Sequence, residues 1–149
     1  MMRFFPHAMI SLVIAAGCAL ATPAVALAAQ SAAAPCGSAA SACISLSSKR
    51  AWLMRDGQVT YGPTPITSGK PGHRTPAGTF RVLWKDKNHR SAEFNNAPMP
   101  YSVFFTNTGI AFHQGSLSRT SAGCIHLSRG AAVTFFDRLS VGQVVQVVS

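Results

Sequence analysis

The chain has 149 residues, and its 13 Lys and Arg side chains against four Asp and Glu give a formal net charge of +9 at pH 7. This length suits one domain, because single domains usually contain about 100 to 150 residues. The basic side chains are scattered rather than clustered with aromatic residues, which argues against nucleic acid as a partner.

Residues 1–28 have the features of a signal peptide for export. A basic start at Arg3 precedes the uncharged apolar run 10–20, and residues 26–28 (Ala-Leu-Ala) supply the small side chains of a cleavage site. A permanent membrane span needs about 20 apolar residues, and this run is interrupted by Gly17, Thr22 and Pro23. We therefore predict export to the periplasm or cell-wall space, with no stable membrane insertion after cleavage.

Two further consequences follow from this leader. Residues 16–18 (Ala-Gly-Cys) resemble the end of a lipoprotein signal, so lipidation at Cys18 is an alternative to cleavage after Ala28. Loss of Arg3 with the leader leaves 12 basic and four acidic side chains, a net charge of +8. Outside the membrane such a surface favours wall polymers and anionic lipid as partners.

The cysteines point to one disulfide and one unpaired thiol. Export to an oxidising space favours pairing of cysteines. Cys36 and Cys43 are seven positions apart across a flexible segment of small residues, so they can form a local bridge. Cys124 is then left alone, and such a thiol is reactive, paired between chains, or buried and inert.

The first half of the chain predicts a linker followed by strands. Residues 29–42 are small and polar and are predicted to be a linker, with one domain over 43–149. Alternating apolar residues at 44–46, an apolar run at 51–54 and the Asp-Gly turn at 56–57 before residues 58–61 predict a β-meander.

The second half predicts further strands and one helix. A stretch rich in Pro and Gly leads to a predicted strand at 80–85, and a charged loop at 86–93 follows. Later strands are predicted at 101–105, 110–113 and 143–148, and a helix capped by Ser128 at 129–139. The predicted fold is mostly β, a β-sandwich or partial barrel with one short α-helix.

The segment 112–128 contains the residues with the clearest chemical potential. His113 ends a predicted strand, and Cys124 follows a loop of small residues before a helix. Gly123 permits close approach of the backbone to a substrate carbonyl, so that amides near Cys124 can stabilise an oxyanion. An imidazole within hydrogen-bond reach generates the attacking thiolate. His113 and Cys124 are therefore a candidate catalytic dyad.

Two other interpretations of the same residues stay open. A single Cys before an apolar residue is more often a small core side chain, and a His at a strand end is more often structural. Alternatively His113, Cys124 and His126 supply three ligands for a catalytic zinc ion.

From Cys43 onward the chain resembles the L,D-transpeptidase catalytic domain, also called the YkuD domain. The family's signature is a His, a spacer, then Ser/Thr-His-Gly-Cys, an apolar residue and Asn or Arg. It is matched by His113, Ser121, Gly123, Cys124 and Ile125, and residues 75–80 (Thr-Pro-Ala-Gly-Thr-Phe) match the family's Thr-Pro-x-Gly-x-Phe element. Two positions differ from the signature: Ala122 replaces the usual His, and His126 the usual Asn or Arg.

The resemblance implies a cysteine acyltransferase that forms or remodels peptidoglycan crosslinks without a cofactor. Cys124 attacks the stem peptide between its third and fourth residues, a terminal D-amino acid leaves, and an acceptor amine resolves the thioester. Its implied partners are peptidoglycan stem peptides, and carbapenem-type β-lactams are implied covalent inhibitors. A wall-binding module that has lost catalysis, suggested by Ala122, and a zinc-dependent hydrolase are the alternatives.

The resemblance also implies roles for the surrounding residues. With no carboxylate beside it, His113 is expected to keep a pKa near neutral. The expected oxyanion hole consists of Gly123, Cys124 and Tyr101. The residues expected to orient the base or bind substrate are Gln114, Gly115, Ser121, His126, Met99 and Arg74, and Trp84 is a further candidate to line the cleft.

Overall fold

The computed structural model of this chain describes residues 33–149. The predicted signal peptide and the possible lipidation site at Cys18 lie outside the described residues. None of the helices within residues 33–149 is long and apolar enough to cross a membrane.

Residues 33–149 form nine strands in two sheets and one helix. In chain order the elements are β1 (Ala42–Ser45), β2 (Arg50–Arg55), β3 (Gln58–Pro65), β4 (Gly78–Arg81), β5 (Trp84–Arg90), β6 (Pro98–Phe104), β7 (Ala111–Gln114), β8 (Ile125–Leu127), α1 (Arg129–Arg138) and β9 (Val144–Val148). The five-stranded sheet has the order β3-β2-β1-β9-β4, and the four-stranded sheet has the order β5-β6-β7-β8. The predicted mostly β fold with one short helix is confirmed.

The five-stranded sheet begins with the predicted meander. β1 pairs antiparallel with β2 and parallel with β9, so the last strand of the chain lies beside the first. Asp56 and Gly57, both with positive φ, form the turn between β2 and β3. β3 continues through Pro63 to Pro65 because it is an edge strand, where proline need not donate to a neighbour.

The predicted strand at 80–85 is wrong, because the chain changes sheets within it. β4 ends at Arg81 and β5 begins at Trp84. Val82 donates its N–H at 2.9 Å to the carbonyl of Gln143, just before β9 of the five-stranded sheet, and Leu83 donates at 2.8 Å to the carbonyl of Phe104 in the four-stranded sheet. Residues 86–90 of the predicted charged loop belong to β5, an edge strand, and edge strands commonly carry charged side chains.

One hydrophobic core lies between the two sheets and the helix. The five-stranded sheet contributes Ile44 and Val145, the four-stranded sheet contributes Phe112 and Ile125, and the helix contributes Phe135. The helix begins at Arg129 because the Ser128 side chain accepts the N–H of Ala131, as the sequence predicted. α1 packs against β6, β7 and β8, which fixes one face of the four-stranded sheet and leaves its other face for the site.

The segment before β1 is attached to the domain by a disulfide between Cys36 and Cys43, as predicted. Gly37 donates its N–H to the Gln146 side chain at 2.8 Å. Ala40 is buried in a small cluster with Cys43 and Trp52 on the face of the sheet opposite the main core. Ordered packing therefore starts several residues before Cys43.

Candidate active site

The second face of the four-stranded sheet carries the candidate site. Register pairs Trp84 with Phe104 and Phe104 with Ala111. Cys124 comes one residue before Ile125, whose partner on β7 is Phe112. A row of side chains therefore crosses the sheet from Trp84 at the edge to Cys124 at the start of β8. His113 and His126 are register partners on the same face, two residues further along.

These side chains line a cleft of about 800 Å³. Its floor includes Met99 and Phe104, which pack against Cys124. Its charged lining residues are Lys70, Glu93 and Arg119, and its histidines are His89, His113 and His126. The cleft thus combines an apolar floor with a few polar groups, as small-molecule and peptide sites commonly do.

The loop before Cys124 is shaped by Ser121. Its hydroxyl donates to the carbonyl of Cys124 at 2.6 Å and accepts the N–H of Gly123 at 3.0 Å. Gly123 has a φ of 125°, a backbone conformation that residues other than glycine rarely adopt. The predicted role of the Gly123 amide in the oxyanion hole is not supported, because that amide already donates to Ser121.

Thr75, the first residue of the Thr-Pro-Ala-Gly element, stabilises the same loop through hydrogen bonds of its side chain. Its hydroxyl donates to the Gly123 carbonyl at 2.7 Å and accepts the N–H of Gly69 at 3.1 Å. Thr75 is buried, so these bonds are protected from water. The two sequence elements that resembled a known family therefore meet in space, 48 residues apart in the chain.

His113 is buried, and its side chain is oriented by the chain itself. Nδ1 donates to the carbonyl of Gln114 at 2.8 Å, which leaves Nε2 as the acceptor nitrogen of the neutral ring. The pKa of His113 is lowered from 6.5 to about 4; burial is the largest cause, the Gln114 carbonyl opposes it, and His126 and His89 add to the lowering. The expected near-neutral pKa is therefore wrong, because desolvation was not visible in the sequence.

Cys124 is the free cysteine of the described residues, and it is partly exposed. Its Sγ lies 3.8 Å from the carbonyl of Gly109. Burial raises the pKa of Cys124 above its ordinary value, with Glu93 adding to the rise and the backbone N–H of Ala111 opposing it. Burial therefore favours the protonated thiol of Cys124 and the neutral ring of His113.

His126 lies next to His113, with the two rings edge to face and 4.9 Å apart. Nδ1 of His126 lies 3.1 Å from both the Ser116 carbonyl and the Thr67 hydroxyl, and that hydroxyl donates to the same carbonyl. Nδ1 therefore carries a proton. A Cβ at Gly115 would come within 2.5 Å of the His126 ring, so glycine is needed there for the ring to pack against the backbone.

Of the remaining predicted site residues, Met99 lines the cleft, whereas Tyr101 and Arg74 do not. Tyr101 has a positive φ of 59°, which turns its ring towards Phe136 on the helix side of the sheet. The predicted role of Tyr101 in the oxyanion hole is therefore wrong. Arg74 is exposed and lies outside the cleft, whereas Lys70, which was not predicted, lines it.

The structure also brings together residues that sequence reasoning missed. Asp86 and His89 form a hydrogen-bonded pair at 3.2 Å, and His89 lines the cleft beside Phe104. The sequence did not indicate this pair, because Asp86 and His89 lie in a stretch that was predicted to be a loop. As for the zinc alternative, residues 33–149 contain no group of three His, Cys, Asp or Glu side chains placed to hold a metal ion.

Comparison with known proteins identifies the family. The family model YkuD, the L,D-transpeptidase catalytic domain, matches residues 39–147. The chain belongs to the L,D-transpeptidase catalytic domain family. It is 28% identical over 122 residues to L,D-transpeptidase 1 of Mycobacterium tuberculosis, an alignment that covers 70% of this chain and 48% of that relative.

Solved L,D-transpeptidase structures share the fold. An L,D-transpeptidase from Stackebrandtia nassauensis superimposes with a TM-score of 0.68 at 26% identity, covering 72% of this chain and 54% of that one. The L,D-transpeptidase LdtMt1 in complex with imipenem superimposes with a TM-score of 0.63 at 28% identity, covering 70% and 56%. The chain spans about half the length of the curated relatives it matches.

Proposed function

We propose that this chain is an exported peptidoglycan L,D-transpeptidase that forms or remodels crosslinks through an acyl-enzyme on Cys124. The observation that carries the proposal is the common cleft face of β7 and β8. It combines His113, whose tautomer is fixed by the Gln114 carbonyl, with a free thiol at the end of a rigid loop. Membership of a family of cysteine-dependent transpeptidases supports the same chemistry.

In the first half-reaction the neutral His113 takes the thiol proton as Cys124 attacks the carbonyl between stem residues three and four. The thiol and the imidazole are both held uncharged by burial, so proton transfer is favoured only when the substrate carbonyl accepts the electron pair. The C–N bond then breaks, and His113 returns the proton to the departing D-amino acid, most often D-alanine.

The oxyanion formed in this step needs a donor, and we assign that role to the Cys124 amide. The Gly123 amide is bound to Ser121, which instead fixes the carbonyl of Cys124 and so the direction of the loop. One preorganised donor of this kind is worth about 3 to 4 kcal/mol in acyl transfer.

In the second half-reaction an acceptor amine resolves the thioester and His113 removes its proton. The C–S bond then breaks, and His113 passes the proton to the departing Cys124 thiolate. No step requires a cofactor.

Departures from the family signature define the competing proposal, a wall-binding module without catalysis. Ala122 removes a histidine, and the raised pKa of Cys124 keeps its thiol protonated at rest. His126, with its proton on Nδ1, offers Nε2 to substrate as an acceptor, whereas the usual Asn or Arg at this position can donate.

Mass spectrometry of residues 29–149 incubated with a carbapenem separates the two. Structures of the relatives include an imipenem complex of LdtMt1 and an avibactam carbamoyl enzyme of another L,D-transpeptidase. We expect one covalent adduct on the peptide that contains Cys124, together with release of D-alanine from a disaccharide-tetrapeptide. Binding to purified wall without adduct or release would instead support the binding module.

A further inference from the structure

The edge of the four-stranded sheet carries an aromatic pair that the proposed chemistry does not use. Trp84 of β5 and Phe104 of β6 are register partners, and their rings stack with centroids 3.8 Å apart and planes within 8° of parallel. Since β5 is an edge strand, the stack ends at Trp84. Phe104 is buried, whereas Trp84 is 44% exposed, which is unusual for the largest apolar side chain.

The outer face of the Trp84 ring is the exposed part. His89 lies 5.4 Å from Trp84 and 4.9 Å from Phe104, perpendicular to both rings. Because these two distances are nearly equal, His89 lies beside the stacked pair and does not cover the outer face of Trp84. A rigid indole, held from behind by Phe104 and from the side by His89, thus presents one flat face at the end of the cleft.

A pair of polar side chains lies beside the stacked rings. Nδ1 of His89 binds Asp86 at 3.2 Å, and the other carboxylate oxygen of Asp86 accepts the N–H of Asn88 at 3.0 Å. A pyranose ring has an apolar C–H face, which suits an aromatic ring, and hydroxyls around its edge, which suit a carboxylate and an imidazole. A lipid chain has no hydroxyls and would make no use of this polar pair.

The distance from Cys124 fits a sugar attached to the stem. Trp84 and Cys124 are separated by three strand spacings, from β5 to the start of β8, or about 14 Å. Three stem residues lie between the cleaved carbonyl and the glycan, and an extended chain of three residues reaches about 10 to 11 Å. The side-chain linkage of the second stem residue and the ether link to the sugar extend that reach to the Trp84 face.

We propose that Trp84, with Asp86 and His89 at its edge, binds a sugar ring of the glycan strand that carries the donor stem. This inference rests on the proposed transpeptidase function for its substrate. The site makes donors that carry their sugar better substrates than free stem peptides, because the stacked ring helps to hold the scissile carbonyl at Cys124.

The test compares two donors, a disaccharide-tetrapeptide and the free tetrapeptide of the same sequence. We expect kcat/KM for the wild-type chain to be about five- to tenfold higher with the disaccharide. Trp84→Ala should reduce the ratio of the two values to about one, whereas Trp84→Phe should keep most of it. Val141→Ala is the matched control, since Val141 is an exposed apolar residue outside the cleft, and it should keep the full ratio.

A binding measurement separates failure of this site from failure of the proposed function. The Cys124→Ala protein is titrated with the tetramer of N-acetylglucosamine while its two indole N–H resonances, from Trp52 and Trp84, are followed by NMR. A shift of the Trp84 resonance alone supports the sugar site even if neither donor is cleaved. An unmoved Trp84 resonance, or a donor ratio equal in wild type and Trp84→Ala, would overturn it.

Discussion

The two sheets use their faces differently. In the five-stranded sheet both faces of the central strands are covered: Ile44 enters the main core, while Cys43 and Trp52 enter the small cluster beneath the disulfide. In the four-stranded sheet only one face enters the core, and the other carries His113 and Cys124 in the cleft. The five-stranded sheet therefore contributes both faces to packing, whereas the four-stranded sheet combines a packed face with one that carries the proposed catalytic residues.

This difference explains how the cleft face of the four-stranded sheet tolerates buried polar groups. Residues that carry chemistry reduce stability when they are buried, and here their backbone is fixed by the opposite face. Phe112 and Ile125, the neighbours of His113 and Cys124 in sequence, are both fully buried in the core that includes the helix. Variants of His113 and Cys124 should therefore change activity much more than stability at neutral pH, and variants in the core of the five-stranded sheet should do the reverse.

The largest expected effect is that of Cys124→Ala. Without the nucleophile no acyl-enzyme forms, so release of D-alanine from a tetrapeptide donor should fall at least about 10⁴-fold. Because the residue is partly exposed, we expect the free energy of unfolding to change by less than about 1 kcal/mol. Turnover is measured by D-alanine release and stability by urea titration.

Ile44→Val is the matched variant in the five-stranded sheet. It removes one methylene from a fully buried position on β1 and should lower the free energy of unfolding by about 0.5 to 1.5 kcal/mol with unchanged kcat. Substantial release of D-alanine by Cys124→Ala would end the proposed mechanism. A large loss of kcat in Ile44→Val would end the proposed division between the sheets.

The next largest effect is that of His113→Ala. Loss of the base should lower kcat by about 10²- to 10⁴-fold, because the raised pKa of Cys124 leaves little thiolate to react without it. Alkylation of Cys124 by iodoacetamide at pH 7 should slow as well, and it is measured by mass spectrometry. His126→Gln is the control on the neighbouring strand, and its effect should be much smaller. Alkylation that is indifferent to His113 would show that another base acts.

The sequence predicted the fold class, the helix with its Ser128 cap and the disulfide, because each depends on local pattern or motif. It also singled out His113 and Cys124, which line one cleft in the structure. It did not predict the change of sheet at Val82, since that depends on hydrogen bonds to strands far away in the chain. Tyr101 was misplaced because a positive φ reverses the side to which a strand residue points. The use of the Gly123 amide by Ser121 likewise depends on loop geometry that no spacing reveals.

The pH dependence of stability should report the burial of His113. The unfolded chain takes up this proton below pH 6.5, whereas the folded chain does so only below about pH 4. The unfolded state therefore binds more protons in that range, and stability falls as the pH falls from 6.5 to 4, by about 3 kcal/mol. Urea titrations across this range measure the loss, and His113→Gln should remove most of it. An unchanged slope in His113→Gln would show that His113 is not desolvated.

The smallest expected effect is that of Gly115→Ala, which tests how closely the cleft is packed. In Gly115→Ala the new methyl group would lie 2.5 Å from the His126 ring, so either the ring or the strand must shift. We expect a loss of about 1 to 3 kcal/mol of stability together with a severalfold rise in KM, because His126 lines the cleft. In Gly130→Ala the methyl group meets nothing within 4 Å, and Gly130 lies in the helix, so this control should gain about 0.5 to 1 kcal/mol with KM unchanged. Equal effects of the two substitutions would mean that the contact between Gly115 and His126 does not position the cleft, and the contrast between the two sheets would then rest on His113 and Cys124 alone.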